Sequence, residues 1–129
     1  FSGLEDVLAR HVALVNPGGY VVVGVPNYRR GQYLLRRLLD PAALARHNLA
    51  AMEPGTIRRI LAGLGARGFP YCGHYRTFGI WLDREDAPRW LCRGVGLLDA
   101  GFQRLAGLVR LDDVPNRFFS PYVLVVARF

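Results

Sequence analysis

The apolar positions of the chain follow two patterns, uninterrupted runs and helical stripes. Residues 20–25 and 122–127 are almost entirely apolar, which is typical of strands that are buried on both faces. Residues 69–81 are rich in aromatic side chains and predict a weaker strand, because Gly73 and Gly79 interrupt it. We therefore expect the strand over residues 20–25 to lie in a parallel sheet under helices.

Apolar residues recur every three or four positions in the segments between these strands, which predicts amphipathic helices. The predicted helices cover residues 4–15, 34–39, 41–48 and 54–64. The chain thus runs helix, strand, helices, strand, helices, strand, an order that is typical of an α/β fold.

A longer helical segment, residues 83–113, precedes the last strand. It contains an apolar seam whose members are spaced by four and three positions in turn: Leu91, Val95, Leu98, Phe102, Leu105 and Val109. Four glycines weaken this segment and favour two helices or one bent helix. We expect the seam to be packed as core or as a lid, with a dimer surface as the alternative.

The segment Gly63-Leu64-Gly65-Ala66-Arg67-Gly68 matches the spacing of the dinucleotide-binding fingerprint G-x-G-x-x-G. That fingerprint requires a strand before it and a helix after it, so that the phosphates meet the helix N-terminus. Here a predicted helix comes first and a predicted strand follows. We therefore interpret these glycines as the C-terminal cap of a helix.

Composition limits the classes of function. The 129 residues suffice for one small domain, and 51% of them are apolar, which excludes a disordered chain. The formal net charge is +7, but all 17 basic residues are arginines, a bias that G+C-rich codons produce without any phosphate-binding role. A basic RNA-binding piece is an alternative, based on Arg29, Arg30, Arg36, Arg37, Arg58 and Arg59. Because no aromatic stacking platforms cluster with these arginine pairs, we expect no nucleic-acid partner.

Metals and membranes are also excluded as partners. Cys72 and Cys92 have neither a metal-ligand spacing nor a disulfide-rich context, so we expect no metal site and reduced thiols, which favours a cytoplasmic location. The longest segment without a charged side chain, residues 11–28, contains prolines and glycines. We therefore do not expect it to cross a membrane.

Three segments together resemble the C-terminal half of a class I S-adenosylmethionine-dependent methyltransferase domain: HVALVNPGGYVVVGVPNY, LARHNLAAMEPGTIRRILAGLGARGF and SPYVLVVARF. The resemblance implies a partial Rossmann-like methyltransferase sheet. In that sheet, residues 20–25 are the fifth strand, the segment after the helix that ends in GF is the sixth, and residues 122–127 are the seventh and antiparallel strand. It also implies that residues 83–113 are a helical insertion over the substrate cleft.

The same resemblance implies S-adenosylmethionine as the cofactor but assigns it no residue in this chain. In the family, the cofactor site consists of a glycine-rich loop after the first strand, an acidic residue that ends the second and an aspartate after the third. None of these elements is present in the sequence. The start at Phe1, three residues before a predicted helix, also favours a start inside a domain. We therefore expect residues 1–129 to be a single incomplete domain that is inactive by itself.

Polar residues at the carboxyl end of the first strand are the candidate site. Ligands of open α/β sheets bind beyond the carboxyl ends of the strands, which selects Asn27 and Tyr28 as substrate-binding residues. Among the residues that follow, we expect Asn48 to bind substrate and His47 to act as catalytic base, since imidazole titrates near neutral pH. The alternatives are that Asn27 caps the turn after the strand and that His47 has a structural role at a helix end.

The expected function is methyl transfer to an unidentified small-molecule acceptor, with this chain as the acceptor side of the domain. A non-catalytic, methyltransferase-like interaction module is the alternative. Two surfaces are candidates for a homodimer. These are residues 83–113 and the edge of the strand over residues 20–25, which is exposed if no neighbouring strand pairs with it.

Overall fold

The computed structural model describes residues 3–79, 88–109 and 114–129 of the chain. Its elements, in chain order, are α1 (Leu4–Val12), β1 (Tyr20–Pro26), α2 (Gly31–Leu39), α3 (Pro41–Arg46), a 3₁₀ turn (Leu49–Met52), α4 (Pro54–Gly63), β2 (Gly68–Tyr75), α5 (Arg89–Leu108) and β3 (Tyr122–Arg128). The protein is therefore a mixed α/β fold, as the alternation of helical and strand patterns predicted.

The strands form a three-stranded sheet in the order β1-β3-β2. β3 is antiparallel to both of its neighbours, with Tyr20 of β1 opposite Arg128 and Tyr75 of β2 opposite Tyr122. The prediction that the first and last apolar runs lie side by side is confirmed. The expectation of a parallel sheet is wrong for these strands, because β1 and β2 run in the same direction but β3 separates them.

Helices α1 and α4 pack on one face of the sheet, which we call the covered face. Its core consists of residues that are at most 7% exposed: Leu8, Val21, Ile57, Leu61, Val123, Val125 and Ala127. Ile57 and Leu61, one helical turn apart on α4, are completely buried. Burial of these apolar side chains is the main source of stability in the fold.

The opposite face of the sheet, which we call the open face, leaves large side chains exposed: Tyr20, Val22, Tyr75 and Tyr122. Val22 is 64% exposed, although Val21 and Val23 on either side of it pack in the core. The expectation that the first strand is buried on both faces is therefore wrong. The reason is that α1 and α4 lie on the same side of the sheet, while successive strand residues point to opposite sides.

Two smaller apolar clusters lie beyond the carboxyl ends of β1 and β2. One joins α2 to α5, where Leu35 and Leu39 pack with Val95 and Phe78. The other surrounds two buried residues, Tyr28 and Met52, with residues of α3 and the 3₁₀ turn. These clusters bury fewer side chains than the covered face does, so this region depends more on hydrogen bonds.

The segment α5 is one continuous helix of 20 residues. Of the two expected forms, two helices or one bent helix, the first is therefore wrong. The glycines of α5 cost about 1 kcal/mol each in helix propensity, but its first turns pack against α2.

The expectation that the seam is packed as core is also wrong, because Val95 is buried whereas most of the seam is exposed: Leu98, Phe102, Leu105 and Val109. Residues 83–87 and 110–113 of the predicted insertion lie outside the described residues.

The glycine-rich segment after α4 ends that helix. Gly63 is the last helical residue, and Gly65 has a φ of 98°, a left-handed conformation that favours glycine. The N–H groups of Gly65 and Ala66 donate to carbonyls of the last helical turn, and β2 begins at Gly68. The interpretation of these glycines as a C-terminal cap is confirmed.

Candidate functional site

The carboxyl ends of β1 and β2 meet at the start of β3. Pro26 and Tyr75 both pair with Tyr122, one on each side of it. The segments that leave β1 and β2 therefore emerge at the same end of the sheet, beside the segment that enters β3. Open α/β sheets bind their ligands at such a position.

Two buried amide side chains tie these segments together. Asn27 Nδ2 donates to the carbonyl of Ser120 at 2.8 Å, and Gln32 Nε2 donates to the carbonyls of Gly79 and Phe119 at 2.7 Å each. Both amide side chains are almost completely buried. Because they satisfy backbone carbonyls in the interior, they fix the loops at this end of the sheet.

Asn116 organises the turn that leads into β3. Its Nδ2 donates to the carbonyl of Thr77 at 2.6 Å, and its Oδ1 accepts from the N–H groups of Phe118 and Phe119 at 3.1 and 2.7 Å. The hydroxyl of Ser120 accepts from the Asn116 N–H at 2.8 Å. These bonds hold the end of β2 and the turn before β3 in one arrangement.

Asn27 and Tyr28, two of the predicted substrate-binding residues, lie at this end of the sheet and are buried. Asn27 Oδ1 accepts from the N–H of Arg29 at 3.2 Å, which is the contact that the turn-capping alternative predicts. The backbone N–H of Tyr28 points to the sulfur of Met52 at 3.3 Å. Contact of either side chain with a substrate stays a prediction.

His47 and Asn48 are exposed residues that follow α3. The imidazole of His47 meets the ring of Tyr28 edge-on, with the centroids 4.8 Å apart, so the predicted base lies beside one predicted binding residue. Asn48 Oδ1 accepts from the N–H of Ala50 at 3.0 Å and caps the 3₁₀ turn. The catalytic role of His47 and a substrate contact of Asn48 stay predictions.

A buried ion pair that the sequence analysis missed lies behind Tyr28. Arg36 Nη1 is 3.3 Å from Asp40 Oδ2, and neither side chain is more than 2% exposed. The Arg36 guanidinium also lies over the Tyr28 ring, 4.4 Å from its centroid. The available signal was the spacing of four positions between Arg36 in α2 and Asp40, the residue that follows this helix. The pair holds the Arg36 guanidinium against the Tyr28 ring. Losing either partner of the pair would leave an uncompensated buried charge.

A second feature that the sequence analysis missed is an aromatic pocket between the end of β2, α5 and the turn before β3. It has a volume of about 330 Å³ and is lined by Thr77, Phe78, Phe102, Asn116 and Phe119. The ring centroid of Phe78 is 4.6 Å from that of Phe102 and 6.2 Å from that of Phe119, and both ring pairs are tilted. The volume lies in the range of small-molecule sites.

The lining of the aromatic pocket comes from separate segments of the chain, so no local pattern predicts it. The spacing of Phe102 assigned it to the seam of α5, and its ring instead lies against Phe78 after β2. The doublet Phe118-Phe119, directly before an apolar strand, was the available signal for an aromatic wall.

The charged groups near this end of the sheet surround His74 rather than the aromatic pocket. Burial lowers the pKa of the His74 imidazole, the Glu53 carboxylate opposes this effect and the Arg30 guanidinium adds to it. Glu53 also pairs with Arg29 at 3.1 Å, but both side chains are more than a third exposed, so the pair adds little stability. The part of the chain that the structure describes contributes no charged residue to the lining of the aromatic pocket.

Metal and membrane binding have no support in residues 3–79, 88–109 and 114–129. Within these ranges, no three His, Cys, Asp or Glu side chains are grouped so that they hold a metal ion. Neither Cys72 nor Cys92 forms a disulfide bond. None of the helices in the same ranges combines the length and the hydropathy that a membrane crossing requires.

No protein-family model, no curated protein and no solved structure matches the chain. The function proposed for the chain therefore depends on the sequence pattern and on the geometry at the carboxyl end of the sheet.

Proposed function

We propose that the chain is the acceptor-side half of a class I S-adenosylmethionine-dependent methyltransferase domain that methylates a small molecule in the cytoplasm. The observation that carries this proposal is the pairing of the last strand. β3 lies beside β1, the strand after the Pro-Gly-Gly turn, and runs antiparallel to it. The resemblance implies an antiparallel seventh strand as the closing partner of the sheet. Cys72 and Cys92 form no disulfide bond, which supports the cytoplasmic location.

The geometry at the carboxyl end of the sheet supports the acceptor side of this proposal. The aromatic pocket lies there, beside α5, which is the described part of the predicted insertion. In methyl transfer, an enzyme mainly orients the acceptor for in-line displacement and excludes water. A pocket with aromatic walls, held by the hydrogen bonds of Gln32 and Asn116, suits both tasks.

The proposed roles of individual residues follow from their positions. His47 is the proposed base that takes the proton of the acceptor, because it is exposed and lies beside Tyr28. Asn48 is the proposed substrate contact next to it. Asn27 and Tyr28 are the other two proposed substrate-binding residues, and their buried contacts fix the segment at the end of β1.

S-adenosylmethionine supplies a methyl group that a positively charged sulfur activates. The residues in hand do not fit this cofactor, because the family's glycine-rich loop and its two acidic residues are not found among residues 1–129. We therefore derive no step through the cofactor and expect that the chain by itself does not bind it.

The test begins with the coding sequence upstream of Phe1. A strand followed by a glycine-rich loop, encoded there, supports the proposal. The longer polypeptide is then expected to bind one S-adenosylmethionine in a calorimetric titration and to transfer labelled methyl to a small molecule, whereas the 129-residue chain gives no binding heat. A start codon next to Phe1, or a longer polypeptide that does not bind the cofactor, contradicts the proposal.

A non-catalytic interaction module is the second candidate, and the edge of β1 favours it. Among the described residues, β3 is the strand that pairs with β1, and no strand occupies its other edge. Such an edge is a ready template for the strand of a partner protein. A start codon next to Phe1, together with a partner protein that protects the β1 amides from hydrogen exchange, would favour this function over methyl transfer.

The arrangement of the arginines does not favour the RNA-binding alternative. Arg36 is buried against Asp40, and Arg29 is paired with Glu53. Of the six arginines on which this alternative was based, these two are therefore engaged within the protein. We do not propose RNA binding.

A further inference from the structure

The aromatic pocket is suited to a ligand without charge. Three of its lining residues are phenylalanines, and Asn116 uses both its amide oxygen and its amide nitrogen in bonds to the backbone. Among the described residues, no arginine, histidine or carboxylate lines it. A charged group placed among these rings would lose part of its hydration without gaining an ion-pair partner from these lining residues, so charged ligands are disfavoured.

The size of the aromatic pocket sets the size of the ligand. A cavity of about 150 Å³ is large enough to hold one benzene molecule. The aromatic pocket has about 330 Å³ but is open to solvent, so two fused rings would fit in it while part of their surface stays in water. The tilted rings of Phe78 and Phe102 also present both faces and edges, with which a planar aromatic ligand forms edge-to-face contacts.

The walls of the aromatic pocket are held in place before any ligand arrives. Gln103 Nε2 donates to the carbonyl of Phe78 at 2.5 Å and so attaches α5 to the end of β2. On the other side, Gln32 Nε2 donates to the carbonyl of Phe119, and the absence of a side chain at Gly31 leaves room for the Phe119 ring. A Cβ atom at Gly31 would lie 2.6 Å from that ring. Preorganised walls reduce the entropy lost on binding.

We propose that the aromatic pocket binds a neutral aromatic molecule of two fused rings. This binding needs neither cofactor nor catalysis. It follows from the three rings, the occupied amide of Asn116 and the volume of the cavity.

The test is a fluorescence titration of the 129-residue chain with N-phenyl-1-naphthylamine, a neutral aromatic dye that brightens in apolar sites. Unlabelled 2-naphthol, which is uncharged near neutral pH, is then added as a competitor. A parallel titration uses 2-naphthoate, which has the same two rings and a negative charge. We expect 2-naphthol to displace the dye at concentrations about tenfold lower than 2-naphthoate does. The reason is that the negative charge of 2-naphthoate gains no ion-pair partner in the lining. Equal displacement by the two competitors overturns the proposal.

Three variants locate the binding. Phe102→Ala removes one aromatic wall and is expected to weaken dye binding about tenfold. Thr77→Trp fills the cavity and is expected to abolish binding without leaving a hole. The matched control is Leu97→Ala, on the same helix but outside the lining and 75% exposed, which is expected to bind as the unaltered chain does. Circular dichroism checks that each variant is folded.

The same variants exclude binding to exposed apolar surface elsewhere on α5. If Leu97→Ala weakens dye binding as much as Phe102→Ala does, or if Thr77→Trp binds normally, the aromatic pocket is not the site and the proposal is wrong. Failure of the proposed function looks different. In that case the dye and 2-naphthol bind as expected, but the longer polypeptide binds no S-adenosylmethionine.

Discussion

The two faces of the sheet are built from alternate residues of the same strands, and the covered face is more deeply buried than the open face. On the covered face, Val21, Val123 and Val125 pack against α1 and α4 and are almost inaccessible to solvent. On the open face, Val22 and Tyr122 are exposed. The comparison teaches that the fold obtains its stability from one side of the sheet, while the other side retains apolar surface.

The two outer edges of the sheet, β1 and β2, also differ in how readily each could pair with a further strand. The edge of β2 contains Pro70 and a register shift between Gly68 and Tyr71, and both features discourage pairing with a further strand. The edge of β1 has no charge and no bulge, and its proline, Pro26, is the last residue of the strand. Gly19 and Asn27, at the two ends of β1, form backbone hydrogen bonds to the β3 side. In an antiparallel ladder every second residue bonds to the same neighbour, so the N–H and C=O groups of Val22 point away from β3 toward the open edge. β1 is therefore the edge that is open to another strand.

The largest effect is expected from Leu61→Ala, which leaves a cavity in the core under the covered face. The free energy of unfolding should fall by about 2–5 kcal/mol. Its counterpart Val22→Ala on the open face should change it by about 0.5 kcal/mol or less. Urea denaturation followed by circular dichroism measures both. Similar losses for the two variants would mean that the open face is covered in solution.

A polar substitution of the same shape sharpens the comparison of the faces. Val125→Thr places a hydroxyl in the covered core and should lower the free energy of unfolding by about 1–3 kcal/mol. Val22→Thr places the same hydroxyl in solvent and should have almost no effect. The same urea titrations measure this difference, and a Val125→Thr variant as stable as the unaltered chain would contradict the assigned core.

The edge comparison predicts that self-association depends on β1. Val22→Lys adds a charge to the open edge strand and should weaken concentration-dependent association about tenfold or more. Tyr75→Lys adds the same charge to the open face of β2 and should leave association nearly unchanged. Sedimentation velocity over a range of protein concentrations measures both. A chain that stays monomeric at every concentration would show that the β1 edge is not a pairing surface.

The smallest effect is the pH dependence that His74 contributes. Burial lowers the pKa of the folded imidazole below its ordinary value of 6.5, so the unfolded chain takes up the proton first. The free energy of unfolding should therefore be highest above that value. It should decrease as the pH falls from 6.5 toward the lower folded pKa, below which the loss is complete. The variant His74→Gln should lose this component between about pH 8 and pH 5 in urea titrations. Identical pH profiles for the variant and the unaltered chain would contradict the shift.

Local sequence patterns predicted β1 and β3 well because each of these strands is a single apolar run. The strand predicted over residues 69–81 is shorter in the structure, where β2 ends at Tyr75. Residues 20–25 and 122–127 were expected, and β1 and β3 extend only slightly beyond them. The glycines after α4 were likewise recognised as a cap from the order of the elements around them. The sequence left open whether α5 is one helix or two, since its packing against α2 depends on residues more than fifty positions away in the sequence.

The sequence predicted where Asn27 and Tyr28 lie relative to the sheet but not that their side chains are buried. The rule that ligands bind beyond the carboxyl ends of strands led to Asn27 and Tyr28, which do lie where β1 and β2 end together. Their burial was not foreseen, because it results from Ser120, Met52 and Arg36 packing on them from other segments.

The sequence by itself determined which residues form the helices and strands, because periodicity, caps and turns act over a few neighbouring positions. It also determined the net charge, which depends on composition alone. Only the tertiary structure decided which face of β1 is buried, that Arg36 lies inside, and that Phe78, Phe102 and Phe119 surround one cavity. These features arise from contacts between distant segments, and such contacts depend on where helices dock rather than on any local spacing.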